Sequence, residues 1–218
     1  MCRKSAWCTE LPENPRLWDR CAPLTAPDWF AESAFAFRRA LVEASRGDLR
    51  AAAVELEGTR GPELQDWFIE HAQNTHRFRA RRSGVKLPAA AGASRDSVRY
   101  PQQVYAQVLE RDGWCCRFCG TPVVDKRAQD RLHALVGPEL FPLGRTNADR
   151  HGVRLALTAT MDHVEAHHAG GASTVDNLVA ACWCCTYGKG RRSLAELLLD
   201  DPRLRPPVRA AEDGATRA

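Results

Sequence analysis

The sequence predicts an α+β protein in which a small helical domain precedes a mixed module of strands and helices. Three observations carry that prediction. Apolar residues between positions 28 and 68 recur at helical spacing, the run LALTATM (155–161) has strand character, and two CxxC pairs, Cys116/Cys119 and Cys182/Cys185, stand far apart in the chain.

Taken in order, residues 1–25 hold Pro12, Pro15 and Pro23 without helical period and read as an irregular lead-in. A helical domain is expected over 26–83. Its first helix starts at Asp28 after Pro27, stacks Phe30, Ala34, Phe37 and Leu41 on one face, and ends at Gly47. A second, from Asp48 to Glu57, turns Leu49, Ala53 and Leu56 to one side. The break at Gly61-Pro62 opens a third, with Leu64, Trp67, Phe68 and Phe78 as its apolar face. Residues 84–99 (around LPAAAGAS) read as a linker.

The mixed module is expected over 100–200. Gln102 to Arg111 has helical period with Val104, Val108 and Leu109 inward, and Asp112-Gly113 closes it. WCCRFCG (114–120) reads as a short strand turning into a knuckle, DKRAQDRLHALV (125–136) as an amphipathic helix, and 137–152 as loop. LALTATM is the strand that runs into Asp162-His163. Ser193 with Glu196 forms a capping box ahead of a helix at Leu194 to Leu199. From 201 to 218 the chain lacks apolar periodicity and is expected to be a disordered tail.

Composition excludes several classes. With 44% hydrophobic and 27% charged residues the chain is an ordinary folded one, and no apolar run is long enough to cross a bilayer. The basic start Met1-Cys2-Arg3-Lys4 is followed by no apolar core, so a secretory leader is not expected and the cytoplasm is the expected compartment. A net charge of +4 alone announces no nucleic-acid partner, but Arg77, Arg79, Arg81, Arg82 and Lys86 follow one another without an acid between them. Such arginines suit bidentate phosphate contacts, and Arg79 and Arg82 are candidates for them. The plain alternative is a solvated helix end.

Nine cysteines is an odd number, and Cys115, Cys116, Cys119, Cys182, Cys184 and Cys185 crowd into two clusters. A disulfide framework spreads its cysteines over a small secreted chain, whereas paired CxxC turns suit thiolate ligation of a metal. Four sulfurs about 2.3 Å from an ion close a tetrahedral zinc site with no open position, so the zinc is structural. Cys116, Cys119, Cys182 and Cys185 are the expected ligands, with Cys115 and Cys184 as competitors.

Arg111-Asp112-Gly113-Trp114 with the first CxxC, then Asp162-His163-Val164, Gly170-Gly171, Asp176-Asn177-Leu178-Val179 and the second CxxC with Lys189, resemble the zinc-containing HNH endonucleases over residues 100–200. The resemblance implies a ββα-metal fold stapled by the four-cysteine zinc site, with an inserted helix and loop at 121–153. It implies a metal-dependent endonuclease that hydrolyses phosphodiester bonds in DNA, with RNA as the alternative substrate. His163 falls at the general-base position, Asp162 at the ligand position for a catalytic Mg²⁺ or Mn²⁺, and Asn177 at the asparagine that braces the loop and orients the histidine. Lys189, Arg191 and Arg192 are then backbone-binding charges.

The position after the last cysteine departs from the family pattern. It commonly carries Asn or His to complete the metal site and here is Thr186, whose hydroxyl is a weaker ligand; His167 and His168 are the nearest substitutes. The alternative reading is therefore a degenerate zinc module that binds nucleic acid without cleaving it. The helices before residue 83 carry no chemical motif and are a candidate surface for a protein partner.

Overall fold

The computed structural model describes residues 20–23, 26–27, 29–59, 63–70 and 101–207. Most of the lead-in, the linker, Phe78, Arg79, Arg82 and residues 208–218 lie outside them.

Three helices come first: α1 (Trp29–Ser45), α2 (Leu49–Glu57) and α3 (Glu63–Glu70). On α1 the expected face is buried at Phe30, Ala34 and Phe37, with Leu41 packed at its margin. Asp48 caps α2 by accepting the Ala51 N–H at 2.9 Å, satisfying one of the donors a helix start leaves open. The inward face of α2 is Ala52 and Leu56, and Leu49, expected inward, is 43% exposed. One helical position of rotation separates the two readings, because Ala51, Ala52 and Ala53 give the pattern no contrast.

The second half holds α4 (Gln102–Arg111), α5 (Lys126–Val136), the short α6 (Gly152–Ala156), strands β1 (Ala159–His163) and β2 (Leu178–Cys182), and α7 (Trp183–Lys189). The strands form one antiparallel pair, with Ala159 opposite Cys182 and His163 opposite Leu178. Every residue of β2 is buried, as befits an apolar run covered on both faces. The inserted segment belongs to the core. Asp125 caps α5, Leu132 is buried, and Phe141 sets its ring 5.2 Å from that of Phe37.

The two halves share one apolar core that runs from Phe30, Phe37 and Phe68 through Leu132 and Phe141 to Leu178 and Cys182. They meet most extensively where α3 packs on α6. A Cβ at Gly152 would stand 2.6 Å from Leu64 Cβ, so only glycine lets the helices meet this closely. Beside it the Gln65 amide donates to the carbonyls of Asn147, Ala148 and Arg150 at 2.8–3.0 Å.

Four local expectations are corrected. Residues 114–120 form turns with a single bridge, Cys115 to Pro122, because Gly113, Trp114 and Gly120 all take positive φ, which a strand cannot hold. Leu155 and Ala156 end α6 rather than begin a strand; His151 caps that turn by accepting the Val153 N–H. The Ser193–Glu196 capping box forms, with Ser193 N–H on the Glu196 carboxylate at 2.7 Å, yet only turns follow because Leu198 sits at φ 55°. The start of the expected tail is tied down: Pro202–Leu204 make a 3₁₀ turn, and Arg205 donates to the carbonyls of Cys21 and Arg117. Among the described residues no helix is long and apolar enough to cross a membrane.

Candidate functional site

The cysteines meet where the knuckle after α4 faces the junction of β2 and α7. Cys116 starts a tight turn closed by the Gly120 N–H on its carbonyl at 2.8 Å, and Gly120 takes φ 76° to make it. Cys182 ends β2 and caps α7, its sulfur accepting the Cys185 N–H at 3.4 Å. The Sγ atoms of Cys116, Cys119, Cys182 and Cys185 all lie within 4.8 Å of one another, with Cys119 and Cys182 3.8 Å apart. Zinc–sulfur bonds of about 2.3 Å in a tetrahedron put sulfurs about 3.8 Å apart, so this donor set fits zinc. Burial pushes the Cys116 thiol well up, whereas hydrogen bonds, first from Cys116 and then from Cys182 and Cys185, hold Cys119 well below the ordinary thiol range. Cys115 and Cys184 are buried but stand outside the set. Ala26, Phe30 and Trp67 line the same small void as Cys119, Cys182 and Cys185, so α1 and α3 roof the centre.

His163, the last residue of β1, is half-buried, with Nε2 3.0 Å from the Ser173 hydroxyl and its ring 5.5 Å from that of His167. Burial first, then the charges of His167 and Lys189, lower its pKa below the ordinary 6.5, so the ring is neutral at pH 7. The loop that follows is braced by Asn177. Its Oδ1 accepts the Glu165 N–H at 2.8 Å, and its Nδ2 donates to the Glu165 and Ala172 carbonyls at 3.0 Å each. Gly171 completes the brace, since a Cβ there would fall 1.9 Å from the Glu165 oxygen.

Asp162 points the other way, as alternation along a strand requires, and is 5% exposed. Lys189, on the last turn of α7, sets its Nζ 2.8 Å from Asp162 Oδ1 and donates to the His163 carbonyl at 3.1 Å. The contact with the carboxylate is an ion pair whose alignment falls short of a good hydrogen bond. Burial raises the Asp162 pKa and the ammonium pulls it back. The Thr160 hydroxyl donates to the Ala181 carbonyl at 2.9 Å, so the Thr186 hydroxyl, 2.6 Å away, is the donor in the Thr160–Thr186 pair.

Two expectations change here. Lys189 is 2% exposed and spends its charge inside the protein, out of reach of a phosphate backbone. Asp162, expected to hold Mg²⁺ or Mn²⁺, already has a counter-charge, and Thr186 offers a hydroxyl engaged with Thr160. Among the described residues the four cysteines are the only group of three or more His, Cys, Asp and Glu placed to hold an ion. With the Lys189 ammonium 2.8 Å from its Oδ1, Asp162 does not fit a divalent cation as it stands. Of the expected phosphate contacts, Arg191 is exposed and Arg192 pairs with Glu196 at 3.4 Å. His167 is exposed beside His163.

One structural anchor escaped sequence reasoning. Asp112, fully buried, accepts the Ala180 N–H at 2.8 Å, the Arg111 guanidinium at 2.8 and 2.9 Å, and faces Arg117 at 3.7 Å. Arg111 also donates to the Leu178 carbonyl at 2.7 Å, and the Arg117 N–H to the Ala180 carbonyl at 2.8 Å. The free edge of β2 is thus paired by one carboxylate and the knuckle. The adjacent Arg111-Asp112 at a helix end was the available signal.

Residues 149–192 match the family model described as HNH endonuclease. The matched stretch contains Asp162, His163, Asn177, Cys182, Cys185, Thr186 and Lys189 and leaves out Cys116 and Cys119. No curated protein and no solved structure gives a significant match.

Proposed function

We propose that this chain is an endonuclease that hydrolyses phosphodiester bonds in DNA with His163 as general base. Hydrolysis needs a water stripped of a proton as it attacks phosphorus, and an imidazole neutral at pH 7 accepts that proton. The observation that carries the reading is the partly exposed ring of His163, at the end of β1 and beside a loop braced by Asn177, within the stretch that matches the nuclease family. Ser173, 3.0 Å from Nε2, holds the tilt of the ring. The cysteine centre holds α7 and β2 on the knuckle, so zinc serves here as a staple and takes no part in bond cleavage. Arg191, exposed just past α7, is the charge available to the DNA backbone.

Reactions of this class commonly use Mg²⁺ or Mn²⁺ to neutralise the phosphate. The test is nicking of supercoiled plasmid by zinc-loaded protein with Mg²⁺ or Mn²⁺ supplied. Wild type is expected to nick, and His163→Ala to lose activity by roughly 10²–10⁴-fold, the range for removal of a general base.

A second reading has its own support, the Thr160–Thr186 hydroxyl pair where an amide or imidazole donor is usual. It makes the chain a zinc module that binds nucleic acid without cleaving it. Salt-dependent DNA binding by wild type and His163→Ala alike, without nicking under any divalent ion, would establish it in place of the first.

A further inference from the structure

The donors around Asp162 disagree with a divalent ion, and the cause of the disagreement is a lysine. Cys185 and Lys189 stand four residues apart on α7 and so share a face. The cysteine centre fixes the first turn of that helix, and thereby the depth at which the ammonium meets β1. There Nζ lies between the Asp162 carboxylate, 2.8 Å away, and the His163 carbonyl, 3.1 Å away, with both side chains at most 5% exposed. We propose that Lys189 is the resident cation of this site, and that Asp162 binds no Mg²⁺ or Mn²⁺ while the ammonium is in place.

Mg²⁺ keeps near-octahedral oxygen coordination and usually several waters, for which a buried, paired carboxylate leaves no room. A second cation at the same oxygen would also face the ammonium at short range in a site of low dielectric. Thr186 offers only a neutral hydroxyl beside Asp162 and brings no negative charge to offset the ammonium. Lys189 acts as a positioning residue, since its bond to the His163 carbonyl fixes the backbone that carries the base. This deepens the nuclease reading, on which its catalytic meaning rests. The ion-binding statement itself stands or falls without any cleavage.

The test is a Mn²⁺ titration of the zinc-loaded full chain, read by paramagnetic broadening of the His163 imidazole signals and by the electron spin resonance of free Mn²⁺. Wild type is expected to leave the His163 signals sharp at millimolar Mn²⁺. Lys189→Met is expected to bind Mn²⁺ at a concentration roughly tenfold lower or less, and adding Asp162→Asn to abolish that site. Selective broadening of His163 in the wild type, lost in Asp162→Asn, would overturn the proposal, as would a folded Lys189→Met protein that gains no site. Should Lys189→Met fail to retain zinc, the wild-type and Asp162→Asn titrations decide alone. Absence of plasmid nicking would count against the nuclease reading and leave the titration untouched.

Discussion

The cysteine centre and the His163 site sit at opposite ends of the same hairpin and differ in how completely they are built. At one end, four soft donors converge from two tight turns. At the other, the carboxylate of Asp162 already faces the Lys189 ammonium, and Thr186 gives its proton to Thr160. A closed tetrahedral site is specified by donor spacing, because each CxxC turn delivers both sulfurs locally. An open oxygen site is specified by what its neighbours leave free. The lesson is that the first kind can be read from residue types and the second cannot.

Taking zinc away breaks the comparison at its stronger end and has the largest expected effect. Zinc binding at such sites is worth about 10–16 kcal/mol, and Cys116 and Cys182 belong to the shared core as well as to the ligand set. Chelation, or Cys182→Ser, is expected to abolish cooperative thermal unfolding; a sharp melt at a zinc-to-protein ratio of zero would contradict the structural role. At the other end, Lys189→Met leaves a buried carboxylate without its counter-charge and is expected to cost about 3–5 kcal/mol in denaturant unfolding. Adding Asp162→Leu should recover most of that loss, since a buried ion pair replaced as a whole costs little. Equal destabilisation by the single and the double variant would mean that the pair is not coupled.

The smallest effect sharpens the comparison through pH. The His163 pKa is depressed, first by burial. Its neutral form, the one able to take a proton, is therefore retained as pH falls through the ordinary value, and is lost only below it. The acidic limb of cleavage, or the imidazole titration followed by magnetic resonance, is expected below pH 6.5. A midpoint above that value would mean that a carboxylate, not burial, governs the ring.

Much of this was legible in the residues. Asp48 and Asp125 opened two of the expected helices, and the CxxC pairs picked out the four cysteines that converge. What escaped depends on packing. A lysine at a helix end reads as solvated, and only the approach of α7 to β1 turns Lys189 inward. LALTATM is too short for its period to separate helix from strand, and the capped turn at His151 decided it. Ser193 and Glu196 exchanged their bonds as expected, but a cap starts a helix only where the backbone beyond it stays right-handed.

The contact of Gly152 with Leu64 has an architectural consequence. The stretch with the nuclease signature is not a portable cassette, because its partner surface comes from a helix nearly ninety positions earlier in the chain. A transplant of the signature alone would arrive with the glycine groove bare and the Arg150 carbonyl stripped of the Gln65 amide. Whatever the two segments do, they have to travel together.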